Sequence, residues 1–103
     1  MAFILSRLVY QPVYQPGQGA TQFFNQANPE AAARLNAWTL SQPGVLGSDT
    51  YGLTLRSQVG HIMFDTMEHL NAYRTAAQSN ADYQARDAYA QLHNFVVEES
   101  VTS

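Results

Sequence analysis

Both faces of the first extended segment are apolar, and that fact limits the folds open to this chain more than any other. In the run Phe3 to Tyr10, Phe3, Leu5 and Val9 point one way while Ile4, Leu8 and Tyr10 point the other, because successive side chains alternate across a strand. A strand of this kind needs cover on two sides. A chain of 103 residues can build one core but is too short to roof both faces of a sheet with its own helices. Helices of the same chain are therefore expected over one face and a second copy of the sheet over the other, which makes an obligate homodimer the economical arrangement.

Similar apolar runs return at Val45 to Leu55, Val59 to Phe64 and Phe95 to Val101. Between them lie stretches with helical spacing. Phe24, Ala31, Leu35 and Trp38 share one helical face; Met67, Leu70, Tyr73 and Ala77 share another. The order is strand, helix, strand, strand, helix, strand. This is an α+β fold, a ferredoxin-like β-α-β-β-α-β monomer with a four-stranded antiparallel sheet, read as one domain over residues 1–103.

Local signals set the boundaries. Gln11-Pro12 and Gln15-Pro16-Gly17 end the first strand and make 14–20 a loop at the mouth of the sheet. Asn28-Pro29-Glu30 combines a cap, a first-turn proline and a first-turn acid, so the first helix either runs on from Thr21 or restarts at that point. Gln42-Pro43-Gly44 ends it. Gly47 and Gly52 predict a bulge or a close approach in the second strand, and Arg56 to Gln58 a short hairpin turn. Asp65 is expected to cap the next helix with Glu68 reaching back, and Ser79 to Asp82 to weaken or kink that helix before it continues to His93.

Composition excludes several functions. Five arginines, scattered along the chain, stand against eight acids for a formal charge of -3, so no nucleic-acid footprint is present. The absence of cysteine removes thiolate catalysis, disulfides and cysteine metal sites. Three histidines at 61, 69 and 93 without clustered carboxylates make no metal site. The stretch Ala2 to Leu5 is too short for the apolar core of a signal peptide, and no later segment is a membrane span, so a soluble cytoplasmic protein is expected.

Several stretches resemble the dimeric α+β barrel superfamily, specifically its antibiotic-biosynthesis-monooxygenase-like proteins. Leu40-Ser41-Gln42-Pro43-Gly44-Val45-Leu46-Gly47 resembles the family's helix exit into the second strand. Phe64-Asp65-Thr66-Met67-Glu68 resembles its strand-to-helix junction, and Ala76 to Ala85 its mid-helix break before the last strand. The resemblance implies a dimer built by sheet-to-sheet packing and an apolar pocket, between sheet and helices, for aromatic or quinone-like compounds. It also implies that no metal or organic cofactor is needed. Phe64 stands where the monooxygenases usually carry tryptophan, and Gly60 where they often carry asparagine. Ser6 falls on the first-strand asparagine of the haem-degrading branch, and Arg86 lies near the region of its helical histidine. Neither catalytic set is intact.

Candidate site residues come from these patterns. His69 and Tyr73 are four apart on one helical face, so an imidazole and a hydroxyl would work on one ligand, with His69 as proton acceptor. The alternative is that Tyr73 packs under the helix and His69 sits at its solvated edge. His61 is a second candidate base, although its alternation puts it with Val59 and Met63, opposite Phe64, where an interface or core role is the simpler one. Tyr10, Trp38 and Phe64 are expected to wall the pocket, with Ser6 as a further substrate contact; aromatic walls also make ordinary cores. Arg7 is expected to pair with an interface acid such as Asp49 or Glu99, or to hold a ligand carboxylate. The favoured function is cofactor-independent oxidation of a small aromatic, quinol or polyketide-type compound. A non-oxidative cyclase or isomerase on the same scaffold, and a non-catalytic dimeric binding or stress-related protein, are the alternatives.

Overall fold

The computed structural model describes residues 2–12 and 19–103. Part of the expected mouth loop, residues 14–18, lies outside them. Strand β1 (Phe3–Tyr10) is followed by a short helix α1 (Phe24–Ala27), helix α2 (Pro29–Leu40), strands β2 (Val45–Thr54) and β3 (Ser57–Phe64), helices α3 (Met67–Ala77) and α4 (Ala81–Leu92), and strand β4 (Val96–Thr102). The four strands form one antiparallel sheet in the order β2-β3-β1-β4.

Each break in the helices has a local cause. Pro29 lacks the N–H that would continue α1, and the Asn28 side chain accepts a hydrogen bond from the Ala31 N–H at 3.2 Å, so the chain restarts as α2 with proline in its first turn. Asn80 does the same for α4, accepting from the Tyr83 N–H at 3.0 Å. The expected kink is therefore a full break into two helices. The cap of α3 also differs from expectation. Thr66 accepts the His69 N–H at 3.1 Å, while Asp65 turns to the His69 ring at 2.6 Å. The Thr66 hydroxyl reaches the exposed first-turn N–H and leaves the aspartate free to bond the His69 ring. Helix α4 ends at Leu92, and Asn94 just beyond it, with φ of 58°, has the left-handed conformation that turns the chain into β4.

The hairpin between β2 and β3 is tighter than the sequence predicts. Ser57 and Gln58 belong to β3, and the turn closes with Thr54 Oγ1 against Ser57 Oγ at 2.7 Å and the Arg56 N–H donating to Thr54 Oγ1. In β2 the register shifts beside Gly47 and again beside Gly52. A Cβ at either glycine would meet nothing within 4 Å, so these are bulges and not close approaches.

Strand parity places the core. Leu5 pairs with Ile62 and Phe3 with Phe64 on the helix side, where Leu5, Leu35, Phe64, Leu70, Tyr73 and Ala77 form one buried cluster. A second, smaller cluster of Phe23, Ala90 and Phe95 sits at the other end of the sheet against Val9 and Val97. The opposite sheet face carries Ile4, Ser6, Leu8 and Tyr10 of β1 beside Val59, His61 and Met63 of β3, and no helix covers it. Among the described residues, no helix is long and apolar enough to cross a membrane.

Candidate functional site

A cavity of about 400 Å³ lies between the helix side of the sheet and the helices. Its floor is β1 and β3, where Leu5, Val9 and Ile62 alternate with Arg7 and Gly60 across the strand pair. Gly60 keeps that floor low: a Cβ there would already touch Thr50 Oγ1 at 3.3 Å. The roof comes from Leu35, Asn36 and Thr39 of α2 and from Tyr83, Arg86 and Tyr89 of α4. The size suits one small molecule.

Polar groups enter this largely apolar space at a few points. Tyr73 is buried, with its hydroxyl 3.2 Å from Thr39 Oγ1. Arg7 rises from β1 and is held by Asp87 of α4 at 3.1 Å and by its cross-strand partner Glu99 of β4 at 3.6 Å. Arg86 lies one residue before Asp87, with its guanidinium 4.6 Å from the centre of the Tyr83 ring. Burial, and secondarily the charge of Arg7, lower the pKa of Arg86. Burial, and then Glu99, raise that of Tyr83. Among the described residues, no three His, Asp or Glu side chains converge to hold a metal ion.

The residues singled out from the sequence are distributed unevenly around this cavity. Tyr73 is in its wall. Phe64 and Trp38 stand behind Tyr73, with ring centroids 5.4 and 5.6 Å from it, and belong to the core cluster. His69 is not beside Tyr73's hydroxyl; its ring is turned to Asp65 at the start of α3, and it holds that carboxyl below its usual pKa by hydrogen bonding. His61 and Asp49 border the cavity, but strand parity puts the His61 side chain on the other sheet face, where Nδ1 lies 3.3 Å from both Asp49 Oδ1 and the Tyr51 hydroxyl. Ser6 is the register partner of His61 on that face. Tyr10 is there too, bonded to Glu98 at 3.0 Å, which raises the pKa of its phenol. Parity explains the separation of Ser6 and Tyr10 from the cavity, since even-numbered residues of β1 point away from the helices. Arg7, expected to meet an interface acid, pairs instead within the chain, on the helix-facing side of the sheet, with Glu99 and Asp87 and not with Asp49.

Sequence reasoning did not put Arg86, Tyr83 and Tyr89 in the site. The signals available were the 83, 86, 90 spacing on one face of α4, which places an arginine among core-facing residues, and the position of Arg86 near the region of the family's helical histidine; neither points to Tyr89.

A four-stranded antiparallel sheet in this order, roofed on one side by broken helices, is a fold that this chain shares with several solved structures. Three solved structures show the likeness. A Bacteroides thetaiotaomicron protein of unknown function, described as a possible oxidoreductase, superposes with a TM-score of 0.65 at 16% identity, over 98% of this chain and 95% of its own. A point variant of SnoaB, a cofactor-independent oxygenase from Streptomyces nogalater, gives 0.61 at 12% identity, over 99% and 90%. A Deinococcus radiodurans protein provisionally assigned as an antibiotic biosynthesis monooxygenase gives 0.64 at 8% identity, over 97% and 90%. At these identities the likeness is one of fold. No family profile matches the sequence, and no curated protein matches it either.

Proposed function

We propose that this protein is a cofactor-independent, monooxygenase-like enzyme acting on a small aromatic, quinol or polyketide-type compound held between sheet and helices. The observation that carries the reading is the cavity itself, about 400 Å³ with apolar and tyrosine walls, in a fold that SnoaB shares. Such chemistry asks little of the protein beyond a base, a dry slot and orientation. Loss of a proton from an activated methylene leaves a carbanion, which passes an electron to dioxygen. The two radicals combine as a peroxide, and loss of water leaves a carbonyl. One oxygen atom ends in the product and one in water, with all four electrons drawn from the substrate.

The base we assign is Glu99, because its side chain shares the helix-facing side of the sheet with Arg7 and lines the cavity. The histidines favoured from sequence, His69 and His61, have rings turned to Asp65 and Asp49. Tyr73 orients a ligand oxygen, and Phe64 and Trp38 brace Tyr73 from behind. The uncovered sheet face, apolar at Ile4, Leu8 and Met63, meets a second copy of the chain in this reading.

That orientation of the imidazoles also supports a second reading, a dimeric binding protein that performs no chemistry. Oxygen uptake separates the two. With an anaerobically prepared panel of anthrones and hydroquinones, the enzyme reading expects dioxygen consumption matched by carbonyl product. It also expects a fall in kcat of at least about 100-fold in Glu99→Gln. No uptake with any member of the panel overturns it.

A further inference from the structure

Among the described residues, Arg86 is a cation without a counter-ion. Among the described residues it makes no ion pair within 4.0 Å and no hydrogen bond, and its Nε is buried without an acceptor. Its one polar contact is the face of Tyr83. A buried polar group without a partner costs free energy that native proteins rarely leave unrecovered. The Nε of the neighbouring Arg7 is likewise buried without an acceptor, but Arg7 differs in charge, since Asp87 and Glu99 already balance it. Asp87, its neighbour in sequence, and Glu99, which lines the same cavity, are thus engaged with Arg7, and burial, then the charge of Arg7, lowers the pKa of Arg86. Arg86 lines the cavity.

We infer that the cavity selects a monoanionic aromatic ligand, an aromatic carboxylate, and that Arg86 on α4 receives the carboxylate while the ring system lies over Leu5 and Ile62. This deepens the ligand reading above and rests on it. The fork of a guanidinium matches the two oxygens of a carboxylate. One uncompensated cation calls for one negative charge, because the Arg7, Asp87 and Glu99 group has no positive charge to spare for a second and would repel it. The apolar remainder of the cavity supplies affinity for the ring.

The test is equilibrium binding of 2-naphthoate, of its neutral analogue 2-naphthamide and of the dianionic 2-naphthyl phosphate, followed by calorimetry on the whole chain. The expected result is 2-naphthoate tighter than 2-naphthamide by about tenfold or more, and 2-naphthyl phosphate no tighter than 2-naphthoate. In Arg86→Met the preference for naphthoate over naphthamide falls to about one, with naphthamide affinity kept; in Arg86→Lys it is retained in part. Removing the orphaned guanidinium leaves the melting temperature of Arg86→Met level or higher. Should that variant fail to fold, Arg86→Lys and the three-ligand comparison on the native chain still decide. Naphthoate and naphthamide binding equally to the native chain, or a preference unchanged in Arg86→Met, overturns the anion site while the aromatic cavity stands. Binding of neither overturns both.

Discussion

Two glycines that look alike in the sequence have opposite roles. Gly44, with φ of +80°, occupies a conformation that side chains rarely adopt, and a Cβ on it would collide with the His69 ring and the Asp65 carboxylate. Gly47, three residues later, faces open space. Gly44→Ala is expected to destabilise the fold by about 2–4 kcal/mol, from backbone strain and overpacking together, whereas Gly47→Ala changes stability by less than about 0.5 kcal/mol; urea denaturation of the pair measures both. At the same scale, strand parity was readable and identified the side of the sheet on which Arg7 and His61 stand. The same parity separates Tyr10 from the cavity, because counting faces is reliable within one strand. The meeting of Arg7 with Asp87, eighty positions away, was not readable. It depends on the rotation of α4 over the sheet, which no local pattern encodes.

The helices α2 and α4 roof the cavity, and a forked pair between Arg34 and Asp82, at 2.9 and 3.1 Å, ties them together. Arg34 holds the Asp82 carboxyl below its usual value of 3.8. The sign follows from the depressed folded-state value: the pair stabilises the fold above about pH 4, and that contribution disappears as the pH falls through the lower folded-state pKa. Both partners are at the surface, so the effect is small. Thermal melts of the native chain and Asp82→Asn should therefore differ most near neutral pH and converge as the pH falls below the usual carboxyl value of 3.8; a constant offset would show that the carboxylate charge is not involved. Element boundaries were recoverable where a side chain enforces them, as at Asn28-Pro29 and Gly44. They were blurred at Asp65-Thr66, where two neighbouring residues compete to cap α3 and only their contacts decide.

For the molecule as a whole, the layer order and the apolar second face of the sheet were written in the alternation of β1 and β3. What covers that face was not, since the same alternation suits a partner of any kind. Our proposal of a twin is checked by sedimentation: a dimer is expected at micromolar concentration, shifted to monomer by Met63→Glu, whose site is 40% exposed in the single chain and would face its own symmetry mate. A stable lone protomer would remove the homodimer from the reading while leaving the cavity between sheet and helices.

The two register breaks in β2 bear on how copies of this protein can meet. β2 is one rim of the sheet, and its interruptions beside Gly47 and Gly52 prevent it from offering the straight row of amide and carbonyl groups that another strand needs for zipping on. β4, the other rim, carries adjacent glutamates at 98 and 99, which repel a like neighbour. Lateral growth into ribbons is thus blocked at both margins, and the broad surface is left as the one seam through which copies can associate without polymerising.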